Sequence, residues 1–308
     1  PHLMLKAPPR RSRWRPSLLT WLAALCGAAG IMLLTYTPAA SWLAQYQQSQ
    51  LIDSYNDSLR RQATTGTPPS PQEALEAARK YNMNLASGAL VAANTNIPQS
   101  TGDPVTNDYH TLLMGPGDVM ARLRIPSIDV DLPIYHGTAD ETLLRGAGHL
   151  QGTSLPVGGE STHAVVTAHR GLAEATMFSN LDQVGVGDSF TIEVFGDVLT
   201  YRVIQTQVVA PEEQEALYPR QGQDLVTLVT CTPLGINTHR ILVTAERVIP
   251  TPEGDREAAL LDSELPRFPW WAIWAGTGLV VIIVFVWRSG YRDARLRELS
   301  VVGDNLKE

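Results

Sequence analysis

Two stretches without a charged side chain decide what this chain can become. Ser17 to Tyr36 (SLLTWLAALCGAAGIMLLTY) and Trp270 to Trp287 (WWAIWAGTGLVVIIVFVW) are almost wholly apolar. A helix that crosses a bilayer needs roughly 17–25 such residues, so both qualify. Trp21, Trp42, Trp270, Trp271 and Trp287 stand near their edges, where amphipathic rings favour the membrane interface. Lys6, Arg10, Arg11, Arg13 and Arg15 precede the first run, and Arg288, Arg292, Arg295 and Arg297 follow the second. Excess positive charge marks the cytoplasmic side. The expectation is a two-pass protein of the cell membrane. Tails 1–16 and 288–308 are cytoplasmic, transmembrane helices cover 17–36 and 270–287, and everything between faces the far side. The competing readings are a cleaved signal peptide for the first run, with Ala39-Ala40-Ser41 as a loose cleavage site, and a buried core helix for the second. Against the latter, Val280 to Val286 is apolar on every face.

The segment between the two runs changes texture along its length. Gln45 to Gln62 has helical spacing (Leu51, Tyr55, Leu59), and ATTGTPPSP from Ala63 to Pro71 breaks it. Gln72 to Asn84 reads as a second short helix with Pro71 at its start. Ser87 to Gly117 is rich in Asn, Pro and Gly, a long loop of the kind used as a lid or binding loop. Region 37–117 is thus a helical arm and loop. From Asp118 to Ile249 short β-branched runs follow one another: Ala121–Tyr135, Ala164–Ala168, Ser189–Phe195, Val198–Ala210, Leu225–Thr230 and Arg240–Val248. Each is bounded by Gly, Asp or Pro, which points to a mainly β domain, a barrel or sandwich, over 118–249. Glu141–Leu144 and Ala175–Leu181 are candidate short helices between strands, and 250–269 is a linker back to the membrane. The net charge of −7 on 308 residues gives no reason to expect nucleic acid.

The chain has two cysteines, and Cys26 lies in the first apolar run. Cys231 therefore stands alone outside the membrane, and a lone thiol there is a candidate for reactivity. It ends a strand-like run. His169 follows another such run, and Arg240 opens the last one. A nucleophilic thiol needs a group that exchanges protons with it and with a leaving amine, and imidazole is suited to that. Acyl transfer also builds negative charge on a carbonyl oxygen, which a guanidinium can stabilise. His239 is a rival for the imidazole, but on a strand it points to the face opposite Arg240. The bland readings are a small buried cysteine, a loop histidine and a solvated arginine. The seven histidines are scattered and no Cys-x-x-Cys occurs, so no metal or organic cofactor is implied.

Several ordered motifs resemble a known family, the sortases, membrane-anchored cysteine transpeptidases of Gram-positive bacteria. Thr227-Leu228-Val229-Thr230-Cys231 looks like the sortase TLxTC motif, and Asn237-Thr238-His239-Arg240 like its arginine segment. Thr167-Ala168-His169-Arg170-Gly171 resembles the catalytic-histidine segment. Gly146 to Leu150, Thr153 to Pro156 and Met177 to Leu181 extend the match over roughly 118–248. The second apolar run and the Cys-Thr-Pro-(Leu)-Gly-(Ile)-Asn-(Thr)-His-Arg segment are most similar to the pilus-assembling class C, with Leu234 where that class has tyrosine. The resemblance implies a closed β-barrel with short helices, preceded by a helical and lid-bearing arm and flanked by two transmembrane helices. It implies Cys231 as nucleophile, His169 as general acid and base, and Arg240 holding the sorting signal or the oxyanion. The class lid carries Asp-Pro and an aromatic residue. Asp103 and Pro104 match it, while Val105 stands where the ring belongs; Val105 by bulk, or Tyr109, could shield the sulfur instead. Thr230 is a candidate support for the oxyanion. The implied substrates are pilins or surface proteins with an LPxTG-like signal, and the implied acceptor is a lysine amine of a second pilin. Some sortases use calcium, but no compact acidic cluster argues for it here.

Three other readings compete. A sortase that attaches proteins to a cell-wall precursor would share the fold and the residues. A peptidoglycan L,D-transpeptidase also uses Cys, His and Arg, but carries arginine almost directly after cysteine, where this chain has Thr232-Pro233. A membrane-tethered β-barrel that binds or scaffolds would leave Cys231 inert and buried.

Overall fold

The computed structural model describes residues 14–66, 69–85, 109–172, 175–213, 215–259, 261–263 and 265–304. Two compact units divide the chain. One is built from the chain up to Ala39 and from Phe268 onward, the other from Ala40 to Arg267.

The first unit pairs the start of α1 (Leu18–Thr65) with α5 (Trp270–Asp304). A Cβ on Gly27 would lie 3.2 Å from Ile282 Cδ1, and one on Gly278 only 2.6 Å from Ile31 Cδ1. Small residues let helices approach closely where lipid removes the hydrophobic drive between them. Ser17 N and Thr20 Oγ1 both donate to Asp293 Oδ2 at 2.9 Å, and Trp14 Nε1 donates to the Trp287 carbonyl at 3.2 Å. Leu19, Leu33, Leu34, Trp274 and Ile283 remain exposed. Both helices are long and apolar enough to cross a membrane, and this outward apolar surface suits membrane association. The sequence separates a helix over 17–36 from one over 45–62, whereas α1 is one helix with Pro38 inside it. An interior proline costs about 3 kcal/mol. Strong helix formers after it, Ala39, Ala40, Leu43 and Ala44, carry the helix onward.

In the second unit, α2 (Pro71–Asn84) starts at a capping box: Ser70 Oγ accepts from Glu73 N, and Glu73 accepts from Ser70 N. Eight strands follow: β1 (Ala121–Ile125), β2 (Val130–His136), β3 (Ala147–His149), β4 (Thr162–Thr167), β5 (Ser189–Val194), β6 (Asp197–Val209), β7 (Asp224–Thr232) and β8 (His239–Arg247). They close a barrel in the order β1-β2-β3-β4-β7-β8-β6-β5, with β5 returning to β1. The pairs β2–β3 and β4–β7 are parallel and the rest antiparallel. The expected closed barrel is thus what forms. Alternation sorts its side chains. Ala164, Val166, Val226, Leu228, Val243 and Ala245 enter the main core. Val165, Val229 and Leu242 point the other way and build a second cluster with Leu150, Val209 and Leu217.

Three local expectations change. Ala147–His149 is a strand too short to show periodicity. A Cβ on Gly148 would sit 2.3 Å from the Gly137 carbonyl, so the sheet closes there only around glycine. Ala175–Leu181 is not a helix: Met177 takes a left-handed conformation (φ 40°), and only Leu181–Gln183 forms a 3-10 turn. The linker after the barrel carries a helix, α4 (Glu253–Ala259).

On the outside of β1, Arg122 is fully buried. It donates to both Asp131 oxygens, at 2.8 and 2.7 Å, and to Glu193 Oε2 at 3.2 Å. Asp131 also accepts from Ser263 Oγ at 2.6 Å, and Ser263 N donates to Asp53 Oδ1 at 3.3 Å. The cluster therefore joins β1, β2 and β5 to α1 and to the chain beyond the barrel. One cation faces two carboxylates, and Asp131 holds the bidentate share. Glu193 keeps an oxygen without a partner, and burial pushes its carboxyl up to about 7 against the pull of Arg122 and Arg124. A folded-state carboxyl raised above its unfolded value binds its proton more tightly in the folded chain, so its stabilisation is lost as pH rises toward 7. The melting temperature of the detergent-solubilised chain is expected to fall over that interval and to flatten in Glu193→Gln; an unaltered slope would contradict the assignment. Arg122→Ala, which strands two buried carboxylates, is expected to cost about 3–5 kcal/mol in denaturant unfolding.

Candidate active site

The site begins with β7, which lies between two partners. It runs parallel to β4, with Thr167 level with Val229, and antiparallel to β8, with Cys231 opposite Arg240. Directly opposed residues share a face, their Cβ atoms about 4.5–5.5 Å apart. Cys231 and Arg240 continue the outward rows of Val229 and Leu242. On β4 the same alternation runs through Val165 and Thr167 to His169, two residues past the strand. The Ala168 N–H donates to the Val229 carbonyl at 3.3 Å, and Thr230 Oγ1 donates to the Ala168 carbonyl at 2.8 Å. The backbone leaving β4 is therefore bonded to β7 up to the residue before Cys231. Thiol, imidazole and guanidinium gather at one end of the barrel wall.

The thiol is 7% exposed and packs against Leu143. Leu143 belongs to α3 (Asp140–Arg145), so the candidate helix at 141–144 exists and covers the site. Burial pushes the Cys231 thiol up, and the Arg240 charge opposes it. Burial pushes the His169 imidazole down, and Asp140, in the first turn of α3, opposes that. The resting pair is therefore weighted toward thiol and neutral imidazole. Arg240 is almost completely buried, and its Nη1 donates to the carbonyls of Asn237 at 2.9 Å and His239 at 3.0 Å. Among the described residues no group of three His, Cys, Asp or Glu side chains could hold a metal ion.

The remaining sequence candidates separate clearly. His239 is exposed, sits opposite Thr232, and its Nδ1 bonds Thr238 Oγ1 at 3.0 Å. Thr230 uses its one hydroxyl proton on Ala168, so it fixes the approach of His169 rather than offering a donor to an oxyanion. Tyr109 is buried, its hydroxyl bonded to His149 at 2.9 Å and accepting from Gly137 N at 3.0 Å. Asp103, Pro104 and Val105 lie outside the described residues. Leu143, Asp140, Arg170 and Thr232 escaped the sequence reading. The last two adjoin His169 and Cys231 in sequence, which was the available signal. The first two reach the site only through the fold.

The family model for the sortase domain matches residues 123–248. The chain is 49% identical to sortase C-1 from Actinomyces oris, covering 58% of this chain and 98% of that one, with a TM-score of 0.52. It is 36% identical to the sortase C of Streptococcus pneumoniae, covering 65% of this chain and 96% of that one, with a TM-score of 0.56. Among curated proteins it is 31% identical over 131 residues to sortase A of Streptococcus agalactiae, covering 42% of this chain and 52% of that relative. The chain thus spans about half the length of that relative.

The electrostatics give a direct expectation. Alkylation by iodoacetamide, read by mass on the peptide that contains Cys231, has its midpoint above that of an unperturbed thiol. In Arg240→Gln the thiolate loses its cation and the midpoint rises further. A midpoint in Arg240→Gln at or below that of the unaltered chain would overturn this account.

Proposed function

The chain belongs to the sortase family, and from that premise we propose that it is a class C-like transpeptidase that joins pilin subunits at the membrane surface. The observation that carries the reading is the direct opposition of Cys231 and Arg240 across β7 and β8, with His169 delivered beside them from the parallel strand β4. Sortases C are among the solved structures that the chain resembles, at 49% and 36% identity, and one of those structures is described in terms of pilin substrate specificity. The apolar helices fit an anchored enzyme acting on anchored substrates.

In this reading His169 takes the Cys231 proton, and the thiolate attacks the threonine carbonyl of an LPxTG-like signal. The tetrahedral oxyanion forms beside Arg240, whose fixed charge stabilises it without reorganisation. The threonine–glycine bond breaks as His169 passes its proton to the leaving glycine amine, leaving a Cys231 thioester. A lysine amine of the next subunit attacks the thioester and yields its proton to His169. The thiolate departs, and an isopeptide bond remains. The chemistry needs no metal or organic cofactor: thiol, imidazole and guanidinium supply the nucleophile, the proton carrier and the charge. Exposed Leu144, Leu234 and Ile236 lie on α3 and the β7–β8 turn, and suit the apolar residues of such a signal.

A second reading, transfer to a cell-wall precursor, draws on the sortase A match and shares every step but the last. Incubation of the full chain with an LPxTG peptide should add the mass of the peptide up to its threonine to Cys231, and Cys231→Ala should add nothing. Resolution of that adduct by a lysine-bearing pilin fragment supports the pilin class, and resolution only by a glycine- or precursor-type amine supports the second reading. No adduct with a thiol that does alkylate would remove the transpeptidase assignment.

A further inference from the structure

Arg170 follows the proposed catalytic histidine, and its side chain is 9% exposed. Its guanidinium has three partners on two segments. Nη1 donates to Thr232 Oγ1 at 2.8 Å, Nε donates to the Ser179 carbonyl at 3.1 Å, and Nη2 pairs with Asp182 Oδ2 at 2.8 Å. Thr232 is the residue after Cys231. The residues before the pair are also joined, Thr230 Oγ1 to the Ala168 carbonyl. Two cross-links, 168 to 230 and 170 to 232, therefore bracket His169 and Cys231.

We propose that Arg170 is a positioning residue that holds His169 in register with Cys231, gripping the nucleophile strand through the Thr232 hydroxyl and bracing itself on the Ser179–Asp182 turn. The geometry explains why the grip needs arginine. β4 ends at Thr167, so His169 has no strand ladder of its own and is held by the returning loop and by the side chains of its neighbours. A planar fork can meet a hydroxyl, a carbonyl and a carboxylate in one plane, whereas lysine presents a single point charge. The brace is itself fixed: Phe178 N donates to the His169 carbonyl at 3.0 Å, and Gly171 N donates to Ser179 Oγ at 3.1 Å. The loop thus returns to both sides of Arg170. The Thr232 hydroxyl lies beyond the thiol in the chain and opposite exposed His239, so its removal leaves the barrel core untouched. Arg170 need not touch substrate. It acts by narrowing the positions His169 can take, and misplacement of a proton carrier is costly even when binding is unchanged.

This inference rests on the transpeptidase reading for its rate arm, and on thiol reactivity alone for its second arm. Thr232→Val deletes the grip while leaving Arg170 on Ser179 and Asp182, and Thr232→Ser restores the hydroxyl. In the detergent-solubilised full chain, Thr232→Val is expected to form the peptide adduct about 10- to 100-fold more slowly with little change in KM. Thr232→Ser is expected to recover the rate, and Arg170→Lys to recover only part of it. The pH profile of Cys231 alkylation in Thr232→Val should move toward that of His169→Ala. Adduct formation at the unaltered rate at every pH, failure of the serine variant to rescue, or an unmoved alkylation profile would each overturn the proposal. Absence of adduct in the unaltered chain would instead remove the transpeptidase reading, with the alkylation profiles still deciding the role of Arg170.

Discussion

The register of β7 against its two neighbours is the constraint on which the site depends. Parallel pairing with β4 places the histidine-bearing turn at the level of Cys231, and antiparallel pairing with β8 places Arg240 opposite it. A one-residue slip on either side would exchange inward and outward rows. Cys231 would then turn into the main core while Val226 and Leu228 turned out of it, and Thr230 or Thr232 would face Arg240. The apolar rows therefore do more than stabilise the barrel. By burying Val229 and Leu242 on one face and Leu228 and Val243 on the other, they specify which face carries the chemistry.

Among the described residues, that face is shielded by α3. Leu143 covers the sulfur, and burial moves both the thiol and the imidazole toward their neutral forms. Arg240 and Asp140 each oppose the shift of a single member of the pair. In the proposed reaction this balance suits a thiol that is quiet until a substrate carbonyl arrives, because charge is stabilised at the place where it develops rather than at rest. The opposite wall of the barrel handles charge differently. Arg122 saturates Asp131 and only partly satisfies Glu193, and the resulting cluster fastens α1 and the chain after the barrel to β1.

Much of the barrel was legible because its strands are β-branched runs cut by Gly, Asp and Pro, and the helix at 71–84 because Pro71 marks its start. The failures have physical causes. β3 is three residues long and glycine-rich, so it has no period to detect; it exists because Gly148 can approach Gly137. The 175–181 segment has helical composition, but its backbone is turned back to hydrogen-bond His169, a tertiary demand that overrides propensity. The stretches over 17–36 and 45–62 read as separate helices, yet the residues on both sides of Pro38 keep one helix.

The sequence by itself determined the two apolar helices, the mainly β domain, and the ordered motifs that make Cys231, His169 and Arg240 candidates, since hydropathy, alternation and motif order are local properties of the chain. Tertiary structure alone decided which histidine stands with the thiol, that Leu143 and Asp140 of α3 belong to the site, and that Arg170 and Thr232 bracket it. These are contacts between residues up to 88 positions apart (Leu143 and Cys231). They arise from strand pairing and loop return, which no local pattern encodes.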